Sequence, residues 1–159
     1  MAHELEVGTI RDSLPGIWHI SATNFPMWLN GARRDPEFEY VLKSEVPLTL
    51  DDRVHYTDER DRPKIISGTD RWVGDHFVWR GARALVLVRS HWQVASLSDD
   101  VLVIHFEKSR VTAAGTDVAI RAGTEHPELR RHIASDPTGF GLSVEQFASL
   151  SWLDHIPAL

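Results

Sequence analysis

The chain of 159 residues fits one domain, 1–159, large enough to bury roughly two-thirds of its unfolded surface around a single core. Its net charge of −6 argues against a polyanionic partner such as nucleic acid, and the absence of cysteine excludes disulfides, thiolate zinc sites and thiol nucleophiles. Hydrophobic residues make up 42%, yet no apolar run approaches the roughly 20 residues of a membrane-spanning helix.

The opening "MAHELEVGTIRD" carries three acids and no apolar run, so no secretory signal is expected there and a cytoplasmic location follows as the expectation. Eight β-rich runs come next, about ten residues apart and each closed by Gly, Pro, Asp or Asn. They are Gly16–Thr23, Glu37–Lys43, Leu48–Tyr56, Pro63–Arg71, Asp75–Arg80, Ser90–Leu97, Val101–Glu107 and Gly115–Arg121. Turn signals such as "DERDRP", "VGD", "LSDD" and "TAAG" separate them and imply antiparallel hairpins. Two connections are longer. Phe25 to Leu29 is apolar and reads either as a lid over something or as a short helix plugging the core. "GARALVLV", after Gly81, reads as a strand extension or a mouth loop.

Beyond Arg121 the period changes, and a helical segment is expected over about 126–153. "HPELRRHIA" places Pro127 and Glu128 at a helix start, and Ser143 followed by Gln146 forms a capping-box pattern. Leu142, Phe147 and Leu150 recur at spacings that put one face of this segment on the outside of a sheet. The expected fold is therefore mainly β: an eight-stranded antiparallel up-and-down β-barrel, a sheet that removes its edges by closure, with C-terminal helices.

"GIWHISATNFPMWLNG" followed by "FEYVL" resembles the lipocalins of the calycin superfamily, in particular their bacterial branch. Gly16, Trp18, Phe25, Gly31 and Tyr40 carry that likeness; "HWQVASLSDDVLVIHFE" and "DVAIRAG" are similar to the family's late strands. The Thr-Asp-Tyr signature of the family is absent, with Asp99 and Asp100 in its place. The resemblance implies that Arg121 packs across Trp18 at a closed barrel end, a cation–π contact of about 0.5–2 kcal/mol, with Gly16 and Trp18 structural. It also implies a cup for a small hydrophobic ligand.

Such a barrel has room for side chains or one small ligand. Trp28, Trp79 and Trp92 read either as a stacking surface for a ringed ligand or as ordinary core, and Tyr40 and Tyr56 join them on their strands. Tyr56 and His55 occupy opposite faces of one strand, and Tyr56 is the better candidate for the cavity. If Trp18, Ile20 and Ala22 point inward and the bulky set Leu102, Ile104, Phe106 faces a helix, His105 falls in the lumen as a hydrogen-bonding group or base; the alternative leaves it solvent-facing. Arg80 and Arg83 offer forks for a carboxylate at the mouth. Asp51, Asp52 and Asp58 to Asp61 read as acidic turns without calcium-loop spacing. His126 and His132 are six residues apart, on different helix faces, and neither a metal nor a cofactor is expected. The functional expectation is binding, sequestration or transport of a small hydrophobic molecule, with a homodimer left open. The alternative is a cyclase, isomerase or decarboxylase in the same cavity, with His105 as the candidate catalytic group.

Overall fold

A computed structural model describes residues 5–110 and 113–153. Eight strands close into the expected barrel: β1 Gly16–Thr23, β2 Arg33–Glu45, β3 Leu48–Asp58, β4 Pro63–Trp72, β5 Phe77–Gly81, β6 Arg89–Leu97, β7 Val101–Phe106 and β8 Gly115–Arg121. Each pairs antiparallel with the next, and β1 completes the circuit by pairing with β2 on one side and β8 on the other. The β1–β2 seam runs only from Gly16–Tyr40 to His19–Glu37. Above it a ninth strand, β9 (Ser151–Trp152), takes the free edge of β1 at Ala22 and Thr23.

The turns follow from their side chains. In "DERDRP" the Asp58 carboxylate accepts from the backbone nitrogens of Arg60 and Arg62 at 2.9 and 3.0 Å, and Asp61 adopts φ 58°. In "LSDD" the Ser98 hydroxyl accepts from the Val101 nitrogen at 3.1 Å. The "VGD" turn extends further than its sequence signal: Val73 donates to the His76 carbonyl, so β5 begins at Phe77 instead of Asp75. The first residue of the "TAAG" turn lies outside the described residues. "GARALVLV" is a mouth loop containing a single 3₁₀ turn over Arg83–Leu85.

Helix α1 (Val7–Ser13) has no counterpart among the expected elements, and it seals one end of the barrel. Ile10 and Leu14 are buried in the core with Trp18, whose indole nitrogen donates to the Leu14 carbonyl at 2.9 Å. The Arg121 guanidinium lies 4.2 Å from the Trp18 ring centroid and donates to the carbonyls of Ser13, Pro15 and Asp99. A Cβ on Gly16, which sits at φ 136°, would fall 2.6 Å from that guanidinium, so this position requires glycine.

A second apolar layer covers the outside. Helices α3 (Leu129–Ser135) and α4 (Val144–Ser149) bring Leu129, Ile133 and Leu150 onto Val101, Val103 and Val118 of β7 and β8, with Leu142 and Phe147 in the same cluster. The Ser143–Gln146 capping box forms as its spacing predicts. Two expectations about strand faces are overturned here. A bulge between Ile20 and Ala22 resets the alternation of β1, so Ala22 faces the helices and not the lumen. On β7 the bulky set Leu102, Ile104 and Phe106 turns into the barrel, and Val101, Val103 and His105 turn out. The helices accept the smaller valines because Leu129, Ile133 and Leu142 already supply the bulk on that side.

Candidate functional site

The end of the barrel opposite α1 is closed by a lining of aromatic rings. After β1 the chain makes one helical turn, α2 (Pro26–Leu29), which buries Phe25 and Trp28 in the barrel end. Of the two expectations for this segment, the structure shows the short helix plugging the core. Phe25 meets Phe106 edge-on at 5.2 Å and fills the space above Gly115, where any side chain would collide with it. Trp28 meets Tyr56 at 6.1 Å, and Arg33 sits 5.5 Å over the Tyr56 ring. Beside them the rim carries an open groove of about 530 Å³, lined by Arg33, Tyr56, Asp58, Arg60, Arg62 and Lys64.

Deeper in, Tyr40, Trp92 and Phe77 form a stack with centroid separations of 5.6 and 4.6 Å. Trp79 is half-buried, its indole lying over Gly68, where a Cβ would strike it. Strand register explains the convergence. Asp70, Trp79 and Ser90 are direct cross-strand neighbours, as are Trp72, Phe77 and Trp92, so each row shares the inward face.

Among these rings sit three carboxylates that form no ion pair among the described residues. Asp52 and Asp70 lie diagonally across β3 and β4, one row apart. The Trp92 indole donates to Asp70 Oδ1 at 2.8 Å. Burial pushes Asp52 up to about 6 and, with the charge of Asp52 next to it, pushes Asp70 well above the carboxylate range. Asp117 on β8, pushed up to about 7 by burial, is fully buried near Thr23. The Tyr40 phenol is raised by burial and then by the charges of Asp52, Asp70 and Asp117. Asp52 Oδ1, Asp70 Oδ2, both oxygens of Asp117 and the Ser90 hydroxyl are buried without a hydrogen-bond partner.

The structure therefore brings Trp28, Tyr40, Tyr56, Trp79 and Trp92 together inside the barrel and leaves two candidates outside. His105 is on the outer face of β7: its Nε2 donates to the Gly141 carbonyl at 2.8 Å, and its Nδ1 is 2.9 Å from the Thr116 hydroxyl. It bolts the segment between α3 and α4 to the sheet and is no part of the barrel interior. Replacing it, His105→Ala, is expected to lower unfolding free energy by about 1–2 kcal/mol through two lost hydrogen bonds. Urea denaturation checks this, with ligand affinity unchanged. Arg80 also faces outward, in the row of Thr69 and Arg89, and donates to the Val86 carbonyl at 3.0 Å, bracing the mouth loop that holds Arg83 at φ 54°. Its parity with Trp79 forbids it the lumen.

Asp52 is not a turn acid but a mid-strand residue facing inward, two positions after Leu50. Asp70 and Asp117 were not singled out at all. Counting by twos from Leu48 and Leu50, or back from Trp72, reaches Asp52 and Asp70; the alternation held the signal, and the acidic side chains hid it.

No protein-family model matches the sequence, and no curated protein matches it. Solved structures do. Lobster apocrustacyanin A1 aligns over 96% of this chain and 87% of its own with a TM-score of 0.63 and 6% identity. The bovine lipocalin allergen Bos d 2 aligns over 89% and 93%, with a TM-score of 0.59 and 13% identity. The siderocalin Ex-FABP, described as functioning through dual ligand specificities, aligns over 92% and 97%, with a TM-score of 0.60 and 14% identity. At these identities the likeness is one of fold.

Proposed function

We propose that this barrel, which has the lipocalin fold, binds a small hydrophobic molecule in its interior and sequesters or carries it. The observation that carries this reading is the aromatic lining of one barrel end, where Phe25 packs on Phe106 and Trp28 on Tyr56, with Trp79 half-buried against the same core. Apolar burial against such rings yields about 25 cal/mol per Å² of ligand surface. Solved structures of the same fold include proteins named for ligands or odorants, which supports the reading. The enzyme alternative loses the group that motivated it, since His105 lies outside the barrel. The chain is read as one domain because both helices and both core clusters share the same strands, and a reducing compartment suits a sequence without cysteine. Among the described residues no helix is long and apolar enough to cross a membrane.

Tryptophan emission tests the proposal. Fatty acids, polyenes, fused-ring aromatics and heme are titrated into wild type and Trp79→Phe. Saturable quenching by at least one compound is expected, with its amplitude reduced in the variant, and product analysis of the same mixtures checks for turnover. No response from any compound, with circular dichroism unchanged, sinks the reading.

A further inference from the structure

We infer that the ligand is an organic cation, a protonated amine on an aromatic or apolar body, whose ammonium group is received by Asp52 and Asp70 beneath Trp79; this rests on the ligand-binding reading above. An ammonium has three donors and needs acceptors. The barrel interior offers Asp52 Oδ1, Asp70 Oδ2 and both oxygens of Asp117, all buried and all without a partner. A second observation is independent of the acids. Ser90, only 6% exposed, points into the same interior from the row of Asp70 and Trp79, and its hydroxyl is also unpartnered. Buried polar groups are nearly always hydrogen-bonded, so five unmet atoms in one barrel mark a place where something binds.

The walls fit the same class. The stacked Tyr40, Trp92 and Phe77 and the indole of Trp79 present ring faces and edges, and a cation held against such rings gains about 0.5–2 kcal/mol. The charged and titratable groups facing the pair are Tyr40 from β2 and Asp117 from β8, joined by the Trp92 indole and the Ser90 hydroxyl from β6. Arg53 and Arg71, the chain neighbours of the pair, alternate to the outer face, and the arginines against the barrel's rings sit at its two ends, Arg121 on Trp18 and Arg33 over Tyr56. In the free protein, protons occupy these carboxyls because burial raises their affinity for them. The ammonium takes the place of a proton, so binding releases protons and strengthens as pH rises. The Trp79 indole packs on Gly68 and is the cross-strand neighbour of Asp70, which makes its emission the natural readout.

Three probes of one shape separate the possibilities: 2-phenylethylamine, 2-phenylethanol and 3-phenylpropionate. The amine is expected to bind at least about tenfold tighter than the alcohol near neutral pH, and to lose about tenfold in Asp70→Asn while the alcohol is unaffected. In wild type its affinity should rise from about pH 5.5 to about pH 8, a measurement that needs no variant to fold. Alcohol and amine binding alike, or an amine affinity indifferent to both pH and Asp70→Asn, overturns the cation assignment and leaves the binding reading standing. Preference for the carboxylate also overturns it and points to the basic rim groove. Failure of all three, together with the wider panel, overturns both.

Discussion

Asp117→Asn is expected to stabilise the protein at about pH 8 by on the order of 3 kcal/mol while changing little at about pH 4.5. Asp117 is fully buried, and its carboxyl is pushed up to about 7 by loss of water. An unfolded chain releases the same proton near pH 4. Between those values the folded protein holds a proton that the unfolded chain has lost, so stability falls as pH rises through the window and levels off above about 7. Asp52 and Asp70, raised for the same reason, slope the same way. The acids held low by exposed partners, Asp12 beside Arg11 and Asp58 beside Arg62, act in the opposite sense and only at lower pH. Asparagine keeps the shape of the protonated acid and has no charge to desolvate. Urea denaturation of wild type and variant across this range should give a sloping line for one and a flatter line for the other. Parallel lines would mean that Asp117 is neutralised by water or an ion inside the barrel.

Truncating the closed end should cost more. Trp18→Ala is expected to lower unfolding free energy by about 3–5 kcal/mol, a large fraction of the 5–15 kcal/mol typical of a domain. The ring is fully buried, its nitrogen is bonded to Leu14, and its face carries the Arg121 guanidinium. Removing it empties the space between α1 and the strands and leaves Arg121 without its ring. Arg121→Ala should cost less, since the cation–π contact accounts for about 0.5–2 kcal/mol and the freed carbonyls of Ser13 and Asp99 regain water. Chemical denaturation of the two variants gives the comparison. A loss below about 1 kcal/mol for Trp18→Ala would show that α1 closes the barrel unaided.

Strand order and both C-terminal helices are legible in the sequence because they rest on local chemistry, turn residues and a capping box, whereas the Trp18–Arg121 pair is implied only by the family resemblance. Inside and outside were harder to tell. One extra residue in a bulge at Ser21 inverts every assignment beyond it on β1, and β7 is apolar on both faces, so size alone misled at Leu102 and His105. Helix α1 escaped notice because only Ile10 and Leu14 of its segment are buried, too few to show a period. Among the candidate site residues, Tyr56 and Trp79 lie on strands with one apolar face and pack against the core. Asp70 and Asp117 were invisible because a carboxylate in an inward position contradicts the rule by which inward positions are found.

The way β1 is held also bears on how the chain folds. This strand is made early, yet its partners β8 and β9 come near the end, and Arg121 reaches back 106 residues to the Pro15 carbonyl. At roughly 5–20 residues per second, a ribosome needs about 5–20 seconds to supply them. During that interval the first strand has unsatisfied backbone on at least one side, and the meander from β2 to β7 assembles without its closure. Closure of the barrel by pairing β1 with β8 and β9 is a long-range event of the kind that belongs to the slow class of β-topologies.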